Sequence, residues 1–336
     1  MVGLSQVAAV QPAVHAPASF ETLDAGWKWA LDKAGNINGF YIGYAIEQNS
    51  DSNICLGKHS HGKTLYELLY STTASEKPVG LKKQVGILFR YDKAPEDRYD
   101  FRDIDISSMA EKTHIKDLTI FWLGLMNASE SVVFLETCFD RVHSDKQREA
   151  AQTGVAIHGP DPKVFNFLKR SLTGNYSAGI RENAAFWMGM QKTDEAAKVL
   201  INTVHTDKSL GVRKNAVFGL YLVETDRADE ALIDLAKKGK EKEIRKKAIF
   251  WLGQRAVKRT AGLLQDVIED ESDTEIQESA VFALSQHPDG VSRLINISRT
   301  HRSLAVRKRA IFWLGQSDDP RALDAILSII NNKPNN

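Results

Sequence analysis

Three side chains able to hold a metal crowd one short connector of the sequence: Cys55, His59 and His61, flanked by Lys58 and Lys63. A thiolate and two imidazoles are soft or borderline ligands, and a Cys-x3-His-x-His run could hold zinc or copper. No fourth ligand stands at motif spacing, and a Gly/Ser-rich connector fixes ligand geometry poorly. The trio is therefore a weak metal candidate that reads first as a polar surface loop. The other cysteine, Cys138, is too distant to help build a cysteine zinc cluster, and two cysteines make no disulfide framework. A phosphate-binding glycine loop, a nucleophile elbow and a Ser/His/Asp grouping are all missing from the sequence. The residues predict no catalytic group, no cofactor and no enzyme, with a metal-binding sensor or enzyme around Cys55, His59 and His61 as the alternative.

The chain that must position any site has 336 residues, 43% hydrophobic and 26% charged, which is an ordinary folded composition but more than one compact core usually holds. Forty-four Lys+Arg against 43 Asp+Glu leave a formal charge of +1, so no global field steers the molecule to nucleic acid. The longest apolar runs, such as Phe40 to Ile46, fall short of the roughly 20 residues of a membrane span, so no membrane insertion is expected. Residues 1–18 are Ala/Val/Pro-rich without Lys or Arg and read as a disordered lead-in. The expected location is cytoplasmic by default, or periplasmic or secreted if a leader was removed upstream.

From residue 115 the sequence repeats itself. The clearest copies are Ile244-Arg-Lys-Lys-Ala-Ile-Phe-Trp-Leu-Gly-Gln254 and Val306-Arg-Lys-Arg-Ala-Ile-Phe-Trp-Leu-Gly-Gln316. Weaker ones start at Ile180, Val212 and Ile276, with Thr119-Ile-Phe-Trp-Leu-Gly124 and a degenerate Arg148 to Gly154 before them. The anchors Phe121, Thr153, Phe186, Phe218, Phe250, Phe282 and Phe312 are 32, 33, 32, 32, 32 and 30 apart. Within a period, Leu232, Leu235 and Ala236 precede Ile244, Ala248 and Leu252 at helical spacing, so each copy is a pair of short helices. Asp161-Pro162 and Asp319-Pro320 are helix starts, and Thr274 to Gln277 fits a capping box. A lone pair of this size cannot bury its apolar faces, so the copies must stack into a solenoid.

The pattern of a helix, a polar turn, then Val/Ile-Arg-x-x-Ala resembles the HEAT repeat, in a short form similar to bilin-lyase-like repeats. Residues 280–315 also resemble a group of bacterial HEAT-repeat proteins whose amino-terminal segments carry an Ile-Gly-Tyr motif, here Ile42-Gly43-Tyr44. The resemblance implies a mainly α fold, a right-handed α-solenoid of about seven HEAT-like helix pairs preceded by a small α+β amino-terminal domain. It implies that the second helices line the concave face, and that Arg148, Arg181, Arg213, Arg245 and Arg307 pair with turn acids in a ladder. Asp207 sits six before Arg213, but Gly239 and His301 hold the matching places before Arg245 and Arg307, and Gln277 replaces one Arg, so the expected ladder is incomplete. Some HEAT-repeat enzymes bind iron through His-Glu pairs; none of the nine His here precedes Glu, and no activity carries over.

If Ala248 faces the core, the 100° helical step turns Phe250 about 160° away, toward the concave groove. Phe121, Phe186, Phe218, Phe282 and Phe312 follow, either as a docking strip for a partner protein or peptide or as core rings folded onto neighbouring helices. The Trp beside the ring, at Trp122, Trp187, Trp251 and Trp313, reads as structural. One turn earlier stand Asp117, Glu149, Glu182, Lys214, Lys246, Glu278 and Lys308, a mixed row that suits a partner with its own charge asymmetry better than a run of phosphates. The sequence thus predicts a non-enzymatic scaffold with Phe186, Phe218, Phe250, Phe282 and Phe312 as anchors and Lys214, Lys246 and Lys308 giving register. Nucleic-acid binding through local clusters such as Lys237 to Lys247 is the disfavoured second alternative.

Before the repeats, Phe20 to Leu31 predicts one amphipathic helix ending at Gly35. Alternation at Phe40 to Ile46, Leu65 to Leu69, Val85 to Phe89 and Phe101 to Ile106 predicts an antiparallel sheet of about four strands. The expected division is a lead-in over 1–18, a small α+β capping domain over 19–110 and a solenoid over 111–333.

Overall fold

The computed structural model describes residues 13–16, 20–48, 64–70, 83–95, 98–113, 115, 118–255 and 258–331. Cys55, His59, His61 and Asp117 lie outside the described residues. The chain divides into two compact units, Met1–Ser171 and Leu172–Asn336.

The first unit is built on a five-stranded mixed sheet of order β1-β5-β2-β3-β4, with β1 at Val14–His15, β2 at Gly39–Glu47, β3 at Gln84–Lys93, β4 at Tyr99–Ser108 and β5 at Thr119–Leu125. The three antiparallel strands are those that alternation predicts. Two readings are corrected. Thr119 to Gly124 is not a helical repeat but the strand β5, parallel to β2 with Ile42 opposite Phe121, and Phe121 and Trp122 are buried in the sheet. Its β-branched and aromatic run lacks the Arg-x-x-Ala start that makes the later copies helical. The sheet thus runs past residue 110, and Val14–His15 of the supposed lead-in pairs with Ile120–Phe121.

The second correction is Leu65–Tyr70, a helix, α2, rather than a strand. Leu65, Leu68 and Leu69 are its buried face, and the Thr64 amide donates to Glu67 Oε2 while the Glu67 amide donates to Thr64 Oγ1. That reciprocal capping box decides between two periodicities that a six-residue run satisfies equally. Helix α2 covers one face of the sheet, against Tyr41, Leu88, Ile120 and Trp122. On the other face lie α1 (Leu23–Ala34), closed by Gly35 at φ 50°, and α3 (Ala128–Arg141). Their Trp27 and Phe134 rings pack on Phe89. Helices α4 (Asp145–Ala156) and α5 (Pro162–Thr173) follow, and Gln147 of α4 donates to the Phe101 carbonyl of β4.

The second unit is the helical repeat. Its second helices are α6 (Ala178–Gly189), α8 (Leu210–Val223), α10 (Lys242–Gly253), α12 (Thr274–Ser285) and α14 (Leu304–Leu314). Its first helices are α7 (Asp194–Thr206), α9 (Asp226–Lys238), α11 (Lys258–Asp270), α13 (Gly290–Thr300) and α15 (Pro320–Asn331). Ser177, Ser209, Asp273 and Ser303 cap the second helices through their side chains. The cap of α12 is Asp273, which accepts from the Glu275 and Ile276 amides; Thr274 is the first helical residue, so the expected Thr274 capping box is displaced by one.

Each second helix packs on the next, and at two junctions, α6 with α8 and α10 with α12, the contact is made by backbone. A Cβ added at Gly189 would lie 2.6 Å from the Gly219 carbonyl, one at Gly219 2.7 Å from the Ala185 carbonyl, and one at Gly253 2.7 Å from the Ala283 carbonyl. At Gly315, which ends the same Phe-Trp-Leu-Gly motif in α14, the nearest atom is 3.4 Å away. The glycine is there to let the following second helix approach.

Arg181, Arg213 and Arg245 form a ladder that reaches forward, while Arg148 pairs with Asp145 of its own helix and Arg307 donates to the His301 carbonyl. Arg181 Nε donates to Asp207 Oδ2 at 2.8 Å and Nη2 to Oδ1 at 3.1 Å, with side chains only 5% and 9% exposed. Arg213 reaches Glu241 Oε2 at 2.6 Å, and Arg245 pairs with Glu271. Glu271 stands six before Gln277, so the acid that Arg245 needs lies in the next turn and not at Gly239. Burial works to raise the Asp207 carboxyl, but Arg181 and the Ser209 amide hold it below the ordinary range.

Two outcomes follow from this packing. Gly253→Ala should lower stability by about 1–3 kcal/mol in urea unfolding, whereas Gly315→Ala should be neutral or gain up to about 1 kcal/mol of helix propensity. Removing one member of the buried pair, Arg181→Met, should cost about 3–5 kcal/mol, against at most about 1 for Lys192→Met in the exposed Lys192–Glu224 pair. Asp207 stabilises the fold fully above the unfolded carboxyl value near pH 4, and the effect fades as pH falls through its lowered folded value. The acid limb of stability against pH should therefore flatten in Asp207→Asn.

Candidate functional site

The repeat brings the predicted phenylalanines into one row. Phe186 and Phe218 have ring centroids 5.9 Å apart, Phe250 and Phe282 6.2 Å. The gaps between these couples are filled by tryptophan: Phe218 stacks on Trp251 at 4.4 Å and 19°, and Phe282 meets Trp313 at 4.7 Å. Within their own helices Trp251 touches Phe250 and Trp313 touches Phe312, so ring contact is continuous from Phe186 to Phe312. Phe186, Phe218, Phe250 and Phe282 are half-buried, and Phe312 is 51% exposed. The row is neither a free strip nor a core, because each ring leans on a neighbour and leaves an edge to solvent.

The alternation has a cause in sequence. The position after the ring is Trp187, Gly219, Trp251, Ala283 and Trp313, large and small in turn. Where it is Gly219 or Ala283, backbones close up and the two Phe rings meet; where it is Trp251 or Trp313, the indole inserts between repeats. Tyr221, stacked on Trp251 at 4.8 Å and covered by the Arg255 guanidinium 4.8 Å from its centroid, is a member of the row that no repeat position announces.

A pocket of about 390 Å³ opens on this row between α10 and α12, lined by Phe250, Phe282, Lys246, Lys247, Glu278 and Arg309 among others. The register lysines are engaged within the molecule: Lys214 Nζ lies 2.9 Å from Glu243 of the next repeat, and Lys246 lies 3.7 Å from Glu243 and 3.6 Å from Glu275. Lys308 is exposed. The basic stretch from Lys237 is laced with acids, Lys237 to Asp266, Lys238 to Asp234 and Lys242 to Asp273. A larger cleft of about 600 Å³ between α7 and α9 has Ile201, Val204 and Leu235 under His205, Arg227 and Glu230, and it assembles no nucleophile and base.

Chemistry is sparse elsewhere. Among the described residues no group of three or more His, Cys, Asp and Glu could hold a metal ion. Burial pushes the Cys138 thiol up to about 12, which favours its protonated form. Tyr44 of the Ile-Gly-Tyr motif is buried with its hydroxyl 2.8 Å from Ser131 Oγ, a structural contact between β2 and α3. Among the described residues no helix is long and apolar enough to cross a membrane.

The family model described as PBS lyase HEAT-like repeat matches residues 306–332, the stretch of α14 and α15. The other second helices of the unit carry variants of the same motif. The helical unit thus carries HEAT-like repeats. No curated protein matches the chain. Among solved structures, the complex of CpcE and CpcF of phycocyanin lyase from Nostoc sp. PCC7120 is 18% identical, covering 60% of this chain and 80% of that one with a TM-score of 0.36. YibA of E. coli is 17% identical over 61% of this chain and 77% of its own, with a TM-score of 0.39. Human deoxyhypusine hydroxylase is 16% identical over 62% and 92%, with a TM-score of 0.34. These likenesses are too distant to carry chemistry to this HEAT-repeat chain.

Proposed function

We propose that this HEAT-repeat scaffold acts without catalysis and holds a partner protein or peptide along the ring-bearing face of its second helices, with Phe186, Phe218, Phe250, Phe282 and Phe312 as anchors. The observation that carries the reading is the row itself: aromatic edges left to solvent in register, one per repeat, beside a pocket between Phe250 and Phe282. Rings that served the core alone would be covered, and an edge of each stays available for a partner to withdraw from water. Since only the exposed part of each ring is gained, the contribution is about 1 kcal/mol per ring, and several rings in a row are needed for useful affinity. Lys214 and Lys246 shape the rim through their acid partners, and Lys308 remains open to the partner.

The test is affinity capture with immobilised wild-type chain against Phe250→Ala/Phe282→Ala/Phe312→Ala, after circular dichroism has shown both equally helical. A partner held by the wild type should weaken by about 100-fold or more in the triple variant, from three rings at about 1 kcal/mol each. The same partner held equally by both would contradict the reading.

A further inference from the structure

The charges around the rings do not cancel, and their imbalance describes the occupant. On the ring side of α8, α10, α12 and α14 stand six cations, Lys214, Lys242, Lys246, Lys247, Lys308 and Arg309, and four acids, Glu243, Asp273, Glu275 and Glu278. All four acids are already committed. Glu243 takes Lys214 and Lys246, Asp273 takes Lys242 at 3.0 Å, Glu275 takes Lys242 at 2.8 Å and Lys246 at 3.6 Å, and Glu278 takes Arg309 at 3.9 Å. Two cations are left over. Lys247 is exposed, lines the pocket and places its Nζ 6.0 Å from the Phe250 ring centroid, and Lys308 is exposed one turn before Phe312. Neither has an acid in ion-pair reach among the described residues. At the opposite end of the row, Glu182 stands one turn before Phe186 and makes no ion pair among the described residues.

We infer that the occupant of the ring face is an acidic segment of a partner protein in which Asp or Glu alternates with large apolar side chains, its acidic part lying over α10 to α14. The inference rests on the docking reading above and adds the partner's chemistry to it. Apolar side chains settle on the exposed edges of Phe250, Phe282 and Phe312, while carboxylates meet Lys247 and Lys308, whose charges no acid among the described residues neutralises. Such complementarity fixes register and speeds encounter, and it weakens with salt. Two free cations are too few to track successive phosphates, and the half-buried rings lean on one another, which favours side chains over stacked bases.

The probe is a random peptide display library selected on the full chain. Enriched peptides should be rich in Asp and Glu interspersed with Leu, Ile or Phe. A synthesised member should bind by fluorescence anisotropy, lose about tenfold or more affinity with Lys247→Glu/Lys308→Glu, and weaken as salt is raised. Both lysines are exposed, so that variant should keep its fold, which circular dichroism checks. Enriched peptides that are basic or uncharged, yet lost with Phe250→Ala/Phe282→Ala, would overturn this inference and leave the docking reading standing. No enrichment, or binding indifferent to the two rings, would overturn both. A single-stranded oligonucleotide that binds and is lost with the same lysine variant would replace the acidic protein with nucleic acid.

Discussion

Alternate pairs of second helices touch backbone to backbone, and much of the second unit depends on that contact. Gly189 on Gly219 and Gly253 on Ala283 leave no room even for a methyl group between helices. Large side chains of these helices must therefore go to the flanks. On one flank the aliphatic residues Ile244, Ala248 and Leu252, with Leu232 and Leu235 of the paired helix, close the core. On the other the rings emerge, and the Trp/small alternation after each Phe lets them interleave as facing positions in a core do. A docking face built this way is held by the same packing that joins the repeats, so its geometry is preorganised.

The arginine ladder fastens the turns at the helix starts. Its strongest rung, Arg181 on Asp207, is buried and bidentate, and breaking it would leave an unpaired charge. One rung is rebuilt without charge. Where Gln277 replaces the arginine, its Nε2 donates to the Ile268 and Glu271 carbonyls, and His301 places Nε2 3.1 Å from the same Ile268 carbonyl while its Nδ1 accepts from the Ser303 amide. His301 thus does for its turn what Asp207 Oδ1 does through the Ser209 amide. Gln277 and His301, two of the three departures from the pattern, meet on the Ile268 carbonyl as a coordinated pair.

The period, the helix pairs, the buried positions and the three antiparallel strands are legible in the sequence, because each rests on local spacing. Strand β5 is not, since Thr119-Ile-Phe-Trp-Leu-Gly has the residues of the repeat motif and only pairing with β2 makes it extended. Helix α2 hides for the opposite reason: Leu65 and Leu69 fit periods of two and of four, and the Thr64–Glu67 box that decides is a single pair. The helical wheel turns Phe250 away from Ala248 correctly, but it cannot show that Trp251 spans to Phe218 of the preceding repeat. Arg245's partner was hidden by distance, because Glu271 lies 26 residues downstream, beyond the turn in which local spacing seeks an acid.

The central claim is that the half-exposed rings join successive repeats while leaving an edge for a partner. The direct test is a double-mutant cycle on Phe218→Leu and Trp251→Leu in urea unfolding, the pair stacked at 4.4 Å across two repeats. A coupling energy of about 0.5–1.5 kcal/mol is the predicted result. Additive losses would contradict it, since each ring would then be serving only its own helix.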